Sequence, residues 1–206
     1  MLELKAKQTV ALVLWPLTSF FVRVRLHPDF MTLLGLLLNL IAGVAFTEGR
    51  FRLAGLLVLA AGLCDVLDGQ IARTGSQGSK FGALLDSTVD RYSEILVFFG
   101  MSVYFIKLGE WITGAALFFA MCGSLMVSYV RARAEGLGEE CKVGFFQRPE
   151  RVIAMGVGAL LGRVVLEAVI WVMALVANYT VGERLWYIWK KTRDPRPQKQ
   201  LDLKQS

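Results

Sequence analysis

Asp65-Val-Leu-Asp68-Gly69-Gln-Ile-Ala72-Arg73, eight further residues, and then Gly82-Ala-Leu-Leu-Asp86-Ser-Thr-Val-Asp90 make up the stretch that decides how this chain is read. Four carboxylates lie within two strongly apolar segments, three and four residues apart. On a helix those spacings set Asp65 over Asp68 and Asp86 over Asp90, each pair on one face. An ionisable side chain at membrane depth costs roughly 3 kcal/mol or more, so such residues are rare and tend to be functional. Hard oxygen ligands on two adjacent helices favour Mg²⁺, Mn²⁺ or Ca²⁺ over zinc. Four carboxylates have the capacity for two ions, the arrangement that clamps the attacking and leaving oxygens of a phosphoryl displacement. The bland alternative is a polar set neutralised by Arg73 and Arg91, but two arginines do not balance four clustered carboxylates at low dielectric.

Working outward, the chain has 206 residues, 55% of them hydrophobic, and a positive mean hydropathy. Its long apolar runs predict an all-α integral membrane protein rather than a soluble domain. The length accommodates about six spanning helices of roughly 20 residues. A net charge of +6 would suit a nucleic-acid partner, but the cations flank the apolar segments. They sit at Lys5, Lys7, Arg23 and Arg25, around residues 131–151, and from Lys190 to Lys204. That is the pattern of a multi-pass membrane protein, compatible with anionic substrates and lipid headgroups. No nucleic-acid partner is expected. Cys64, Cys122 and Cys141 show no paired spacing and read as structural thiols, and His27 is the only histidine, which argues against zinc sites and catalytic triads.

Residues 10–26 are apolar, with Trp15, Pro16 and flanking cations. A signal peptide, or a first span broken by Pro16, is conceivable, but no small-residue cleavage site follows, and an interfacial amphipathic helix fits better. The expected spans are Phe30–Phe46, Leu53 to about Arg73, Lys80–Lys107, Trp111 to about Arg133, about Pro149 to Leu161, and about Val164 to Trp189. Residues 74–79 form a Gly-Ser hinge between the halves of the motif, and Trp186, Tyr187 and Trp189 form an aromatic belt. The chain is thus expected to be one membrane domain. It would comprise a cytoplasmic or interfacial segment (1–27), a six-helix bundle (28–189) and a mobile cytoplasmic tail (190–206). With six spans, the side holding both termini carries 17 Lys and Arg and the other side 4. The termini and the aspartates therefore face the cytoplasm, in a cell (inner) membrane.

The fixed positions Asp65, Asp68, Gly69, Ala72, Arg73, Gly82, Asp86 and Asp90 match the signature of the CDP-alcohol phosphotransferase (phosphatidyltransferase) family, which the chain resembles over most of its length. The resemblance implies transfer of a phosphatidyl or related group from a CDP-linked lipid, CDP-diacylglycerol, to an alcohol, with release of CMP. It implies Asp65, Asp68 and Asp86 as metal ligands, and Asp90 as sharing a metal and serving as general base. Gly69, Ala72, Arg73 and Gly82 would line the CDP-lipid pocket, and the cofactor would be Mg²⁺ or Mn²⁺, as two ions. It further implies a homodimer of six-helix subunits. Pro28-Asp29-Phe-Met-Thr32 reads as a helix start with Pro and Asp in the first turn. It also resembles a family element facing the nucleotide, which would place Asp29 and Thr32 at the cytidine end.

For the acceptor, Asp86-Ser-Thr-Val-Asp90-Arg91 and Ser128-Tyr-Val-Arg131-Ala-Arg133 with Arg148-Pro-Glu-Arg151 resemble the inositol-phosphate-using members, the phosphatidylinositol-phosphate synthases. Arg131, Arg133, Lys142, Arg148 and Arg151 crowd one cytoplasmic region and suit a phosphorylated acceptor, inositol 1-phosphate, since arginine forks onto phosphate oxygens. They equally suit ordinary positive-inside flanks. Glycerol 3-phosphate is the alternative acceptor, and a divalent-cation transporter the alternative outside this chemistry.

Overall fold

The structure is a computed structural model, and it describes residues 15, 16, 18, 19, 21–24, 27–74, 79–144 and 146–193. From Pro28 onward, six helices follow in order: α1 (Pro28–Thr47), α2 (Phe51–Thr74), α3 (Lys80–Lys107), α4 (Trp111–Gly136), α5 (Arg148–Leu161) and α6 (Arg163–Arg193). Among the described residues there is no strand. Pro28 opens α1 and Arg148-Pro149 opens α5, where a missing N–H costs nothing. Ser79 caps α3, its Oγ accepting from the Gly82 amide at 2.8 Å. Gly49 and Gly109 take positive φ in the short turns after α1 and α3, a conformation that disfavours a Cβ.

Each helix packs on two others. The order of neighbours, α1–α2–α5–α6–α4–α3 and back to α1, closes a ring. Its interior holds Phe46, Val58, Phe98, Met101, Leu117, Met155, Ile170 and Met173, all buried. Two seams in the ring are backbone-close. A Cβ on Gly100 of α3 would lie 2.2 Å from the Gly43 carbonyl oxygen of α1. One on Gly55 of α2 would lie 2.6 Å from the Gly156 carbonyl oxygen of α5. Such contacts between small residues let apolar helices gain dispersion and Cα–H···O contacts that larger side chains would prevent.

Helices α1, α4 and α6 are long and apolar enough to cross a membrane. Their outward faces, with Leu33, Leu37 and Val44 on α1 and Val164, Leu175 and Tyr179 on α6, expose large apolar side chains. Such a surface suits lipid rather than water. The remaining three helices do not meet that measure: α2 and α3 carry the carboxylates, and α5, at 14 residues, is only about 21 Å long. Helix α4 continues past Arg133 to Gly136 and α6 past Trp189 to Arg193. The Gly-Ser hinge at 75–78, the tail from residue 194, and much of the expected interfacial helix lie outside the described residues. The described part of that last segment is helical at Trp15, Pro16, Thr18, Ser19 and Phe21 to Arg23. There Thr18 is buried, its Oγ1 donating to Gln70 Oε1 at 2.7 Å. Phe21 and Val22 pack against Met31, Cys64 and Ile71.

Candidate active site

The second half of α2 and the first half of α3 bring the motif together. One carboxylate oxygen from each of Asp65, Asp68 and Asp86 lies within 4.8 Å of the other two. Asp68 is buried and accepts a 2.8 Å hydrogen bond from Thr32 Oγ1 of α1. Asp86 Oδ1 is buried with no hydrogen-bond partner. A buried carboxylate oxygen without a donor is costly, and three carboxylates this close repel one another. The donor set is all-oxygen and anionic, and it converges, so these residues fit a hard divalent cation.

Asp90 is tied differently. Arg148, at the first turn of α5, forks across the site: Nη1 lies 2.7 Å from Asp65 Oδ2 and Nη2 lies 2.6 Å from Asp90 Oδ1. Arg91 Nη1 is 3.6 Å from Asp90 Oδ2 and also donates to the Ser87 carbonyl at 2.6 Å. With Arg148 in place, the cavity among Thr32, Asp65, Asp68, Asp86 and Asp90 has a volume of about 10 Å³, room for one water.

The other expected residues divide between this site and elsewhere. Asp29, in the first turn of α1, comes close to α3: a Cβ on Gly82 would lie 3.3 Å from its Oδ1. Its other oxygen is 3.3 Å from His27 Nδ1. Thr32 meets a carboxylate, Asp68, directly. The Arg73 guanidinium folds back over Gly69, about where a side chain there would reach, and Ala72 is half-buried beside it. Of the five basic residues expected around the acceptor, only Arg148 lines the cavity. Arg131 is exposed and pairs with Glu135 at 2.9 Å, Lys142 is exposed and pairs with Glu140, and Arg133 is exposed. Arg151 is fully buried and committed to Glu94, with Nε 2.9 Å from Oε1. Its orientation follows from the helix: three residues beyond Arg148, it meets the acid one turn beyond Asp90.

Glu94, Asn39 and Ser93 are the residues that the sequence reading passed over. Asn39 and Ser93 line the cavity from α1 and α3. Nothing in their local sequence marks them. Glu94 did carry a signal, an acid four residues past Asp90 within an apolar helix, and Ser124 of α4 donates to it as well.

Residues 25–182 match the family described as CDP-alcohol phosphatidyltransferase. An archaetidylinositol phosphate synthase of Methanothermobacter thermautotrophicus is 38% identical over 175 residues, covering 83% of this chain and 87% of the relative. A phosphatidylinositol phosphate synthase of Mycobacteroides abscessus is 33% identical over 190 residues, covering 88% and 86%. Among solved structures, the phosphatidylinositol phosphate synthase of Mycobacterium tuberculosis with CDP-DAG bound aligns with a TM-score of 0.76 at 32% identity, covering 84% of this chain and 92% of that one. The same enzyme in complex with manganese and citrate aligns with the same score and identity, covering 84% and 88%. With the family matched across most of its length and the acidic motif folded into one site, the chain belongs to the CDP-alcohol phosphatidyltransferase family.

Proposed function

We propose that the protein transfers a phosphatidyl group from CDP-diacylglycerol to inositol 1-phosphate, giving phosphatidylinositol phosphate and CMP by direct displacement. The observation that carries this reading is the convergence of Asp65, Asp68 and Asp86, with a donorless buried oxygen, beside Asp90. The inositol-phosphate names of its relatives support the acceptor.

Asp65, Asp68 and Asp86 would hold Mg²⁺ or Mn²⁺, as two ions with Asp90 sharing one. Bound there, the cations supply charge neutralisation for the pyrophosphate and for the departing CMP oxygen. Asp90 takes the proton of the acceptor hydroxyl as that oxygen bonds to the phosphatidyl phosphorus and the bond to CMP breaks. No protein nucleophile is needed. Gly69, Ala72 and Gly82 leave room for the nucleotide, with Asp29, Thr32 and Arg73 around it. The exposed Arg131, Arg133 and Lys142 raise the local concentration of a phosphorylated acceptor, and Arg148 meets its phosphate. Six spans, with a short α5, an interfacial segment before α1 and the acidic ends of α2 and α3 on the cytoplasmic side, would let the lipid tails stay in the bilayer. The working unit would be a homodimer.

The test is CMP release by purified protein with Mg²⁺ and a panel of acceptors. Activity with inositol 1-phosphate is expected. Activity confined to glycerol 3-phosphate would overturn the acceptor assignment. Because one relative is named for an archaetidyl product, the panel includes an archaetidyl donor alongside CDP-diacylglycerol, and preference for it would overturn the donor assignment.

A further inference from the structure

Helices α3 and α5 are not neighbours in the ring, yet two acid–arginine pairs join them across it. The outer pair is Asp90–Arg148. The inner pair is Glu94–Arg151, one turn further along both helices. The two are held very differently. Arg151 is fully buried, with Nε and Nη2 donating to the two oxygens of Glu94 at 2.9 and 3.3 Å and Nη1 to the Phe146 carbonyl at 3.3 Å. Ser124 Oγ closes the set by donating to the same carboxylate. All three arms of Arg151 are tied within the core.

Arg148 keeps 21% of its side chain exposed, and its two ion-pair contacts are to acids of the catalytic cavity. Asp65 is also one of the three carboxylates that converge on the candidate cation position. A guanidinium brings one positive charge spread over a plane, whereas a divalent cation brings two at a point, onto the same oxygens. Cations that share an anionic ligand repel and compete for it.

We propose that Arg148 is a built-in counter-cation of the acidic site, displaced from Asp65 and Asp90 when a divalent cation binds, while Glu94–Arg151 stays fixed and holds α5 in register. This rests on reading the acid cluster as a divalent-cation site, and not on the identity of the acceptor. Displacement uncovers Asp90 as a base. It also frees a guanidinium fork at the cavity, ready for an anionic oxygen pair. Metal loading therefore precedes productive binding of a phosphorylated acceptor.

The experiment uses the full chain in detergent. Arginine modification by phenylglyoxal is mapped by peptide mass with and without Mg²⁺. Modification of Arg148 should rise severalfold with Mg²⁺, while Arg151 stays protected in both states. Unchanged or reduced modification of Arg148 overturns the proposal. Independently, Mn²⁺ binding to Arg148→Gln, read by electron paramagnetic resonance, should be about tenfold tighter than in the wild type, a coupling of ordinary size. Equal or weaker binding also overturns it. If that variant does not fold, the modification experiment on the wild type decides. Absence of Mn²⁺ binding by the wild type would remove the cation site itself. Normal transfer activity with Arg148 unmoved would remove only this inference. Displacement without transfer activity would leave it standing while the proposed function fails.

Discussion

Thr32 on α1 donates a 2.8 Å hydrogen bond from Oγ1 to Oδ2 of Asp68 on α2, so the helix preceding the motif orients one of its carboxylates. Both partners are buried, and Thr32 also contacts the Pro28 carbonyl at 3.4 Å, which ties it to the start of α1. Groups that orient a metal ligand from behind typically contribute 10–100-fold to affinity. Thr32→Val keeps the shape and deletes the donor. Mn²⁺ affinity should fall by about that factor, roughly 10–100-fold, in a titration read by electron paramagnetic resonance. Unchanged affinity would show that Asp68 is oriented without Thr32.

Asp90 shares Arg148 with Asp65 and is the one of the four acids that also pairs with Arg91. As the proposed proton acceptor it would contribute to the displacement more than to donor binding. Asp90→Asn should lower CMP release by on the order of 10²–10⁴, the usual share of a general base. Protection of the variant against thermal unfolding by CDP-diacylglycerol should remain close to wild type. A variant with normal turnover would remove Asp90 from that role.

The donorless Asp86 Oδ1 sets a third expectation. Binding to the native state alone stabilises it, by about 2.7 kcal/mol when the ligand is at 100 times its dissociation constant. Chelation should therefore lower the thermal midpoint of the wild type, and Mn²⁺ should restore it. Asp86→Asn keeps the shape but loses a charge and should show little response to either treatment. A wild-type midpoint indifferent to chelator would contradict the cation fit.

What was legible in the sequence was local. The pairing of Asp65 with Asp68 and of Asp86 with Asp90 follows from helical periodicity, and the structure brings Asp65, Asp68 and Asp86 together because α2 and α3 both pack on α1. Arg148 and Arg151 were not separable in this way. They are the same residue type, three positions apart on one helix, and only the facing acids of α3 send one into the cavity and the other into the core. The length of α5 was legible too, since Gly162 ends it early, in an extended positive-φ conformation open essentially to glycine alone. The Gly43–Gly100 crossing was not, because a glycine in an apolar run does not reveal which helix it meets.

That crossing yields a prediction about stability. A Cβ at position 100 would meet the Gly43 carbonyl oxygen at 2.2 Å, and the obstacle is backbone that no rotamer can clear. Gly100→Ala should cost about 1–3 kcal/mol, toward the upper end of the usual overpacking range. Gly182 on α6 has nothing within 4 Å of the same virtual atom. Gly182→Ala should be neutral or stabilising, by up to about 1 kcal/mol, from helix propensity alone. Thermal unfolding monitored by size-exclusion fluorescence compares the two. Equal midpoints would show that α1 and α3 do not cross at Gly43.

The Glu94–Arg151 pair makes the sharpest case because both partners are buried and, among the described residues, each is the other's only ion-pair partner. Removing one partner leaves a charge inside the ring with no counter-ion, a loss of about 3–5 kcal/mol in buried pairs. Removing both leaves none. Glu94→Gln and Arg151→Met should each lower the thermal midpoint strongly. The double variant should be more stable than the sum of the two losses predicts, by at least about 1 kcal/mol of coupling. Ser124 gives the control. Ser124→Ala deletes one donor to Glu94 but leaves the arginine in place, so its loss should be about 1 kcal/mol. Additive effects in the double variant would mean that Arg151 does not depend on Glu94, and that α5 is held against α3 by something other than this pair.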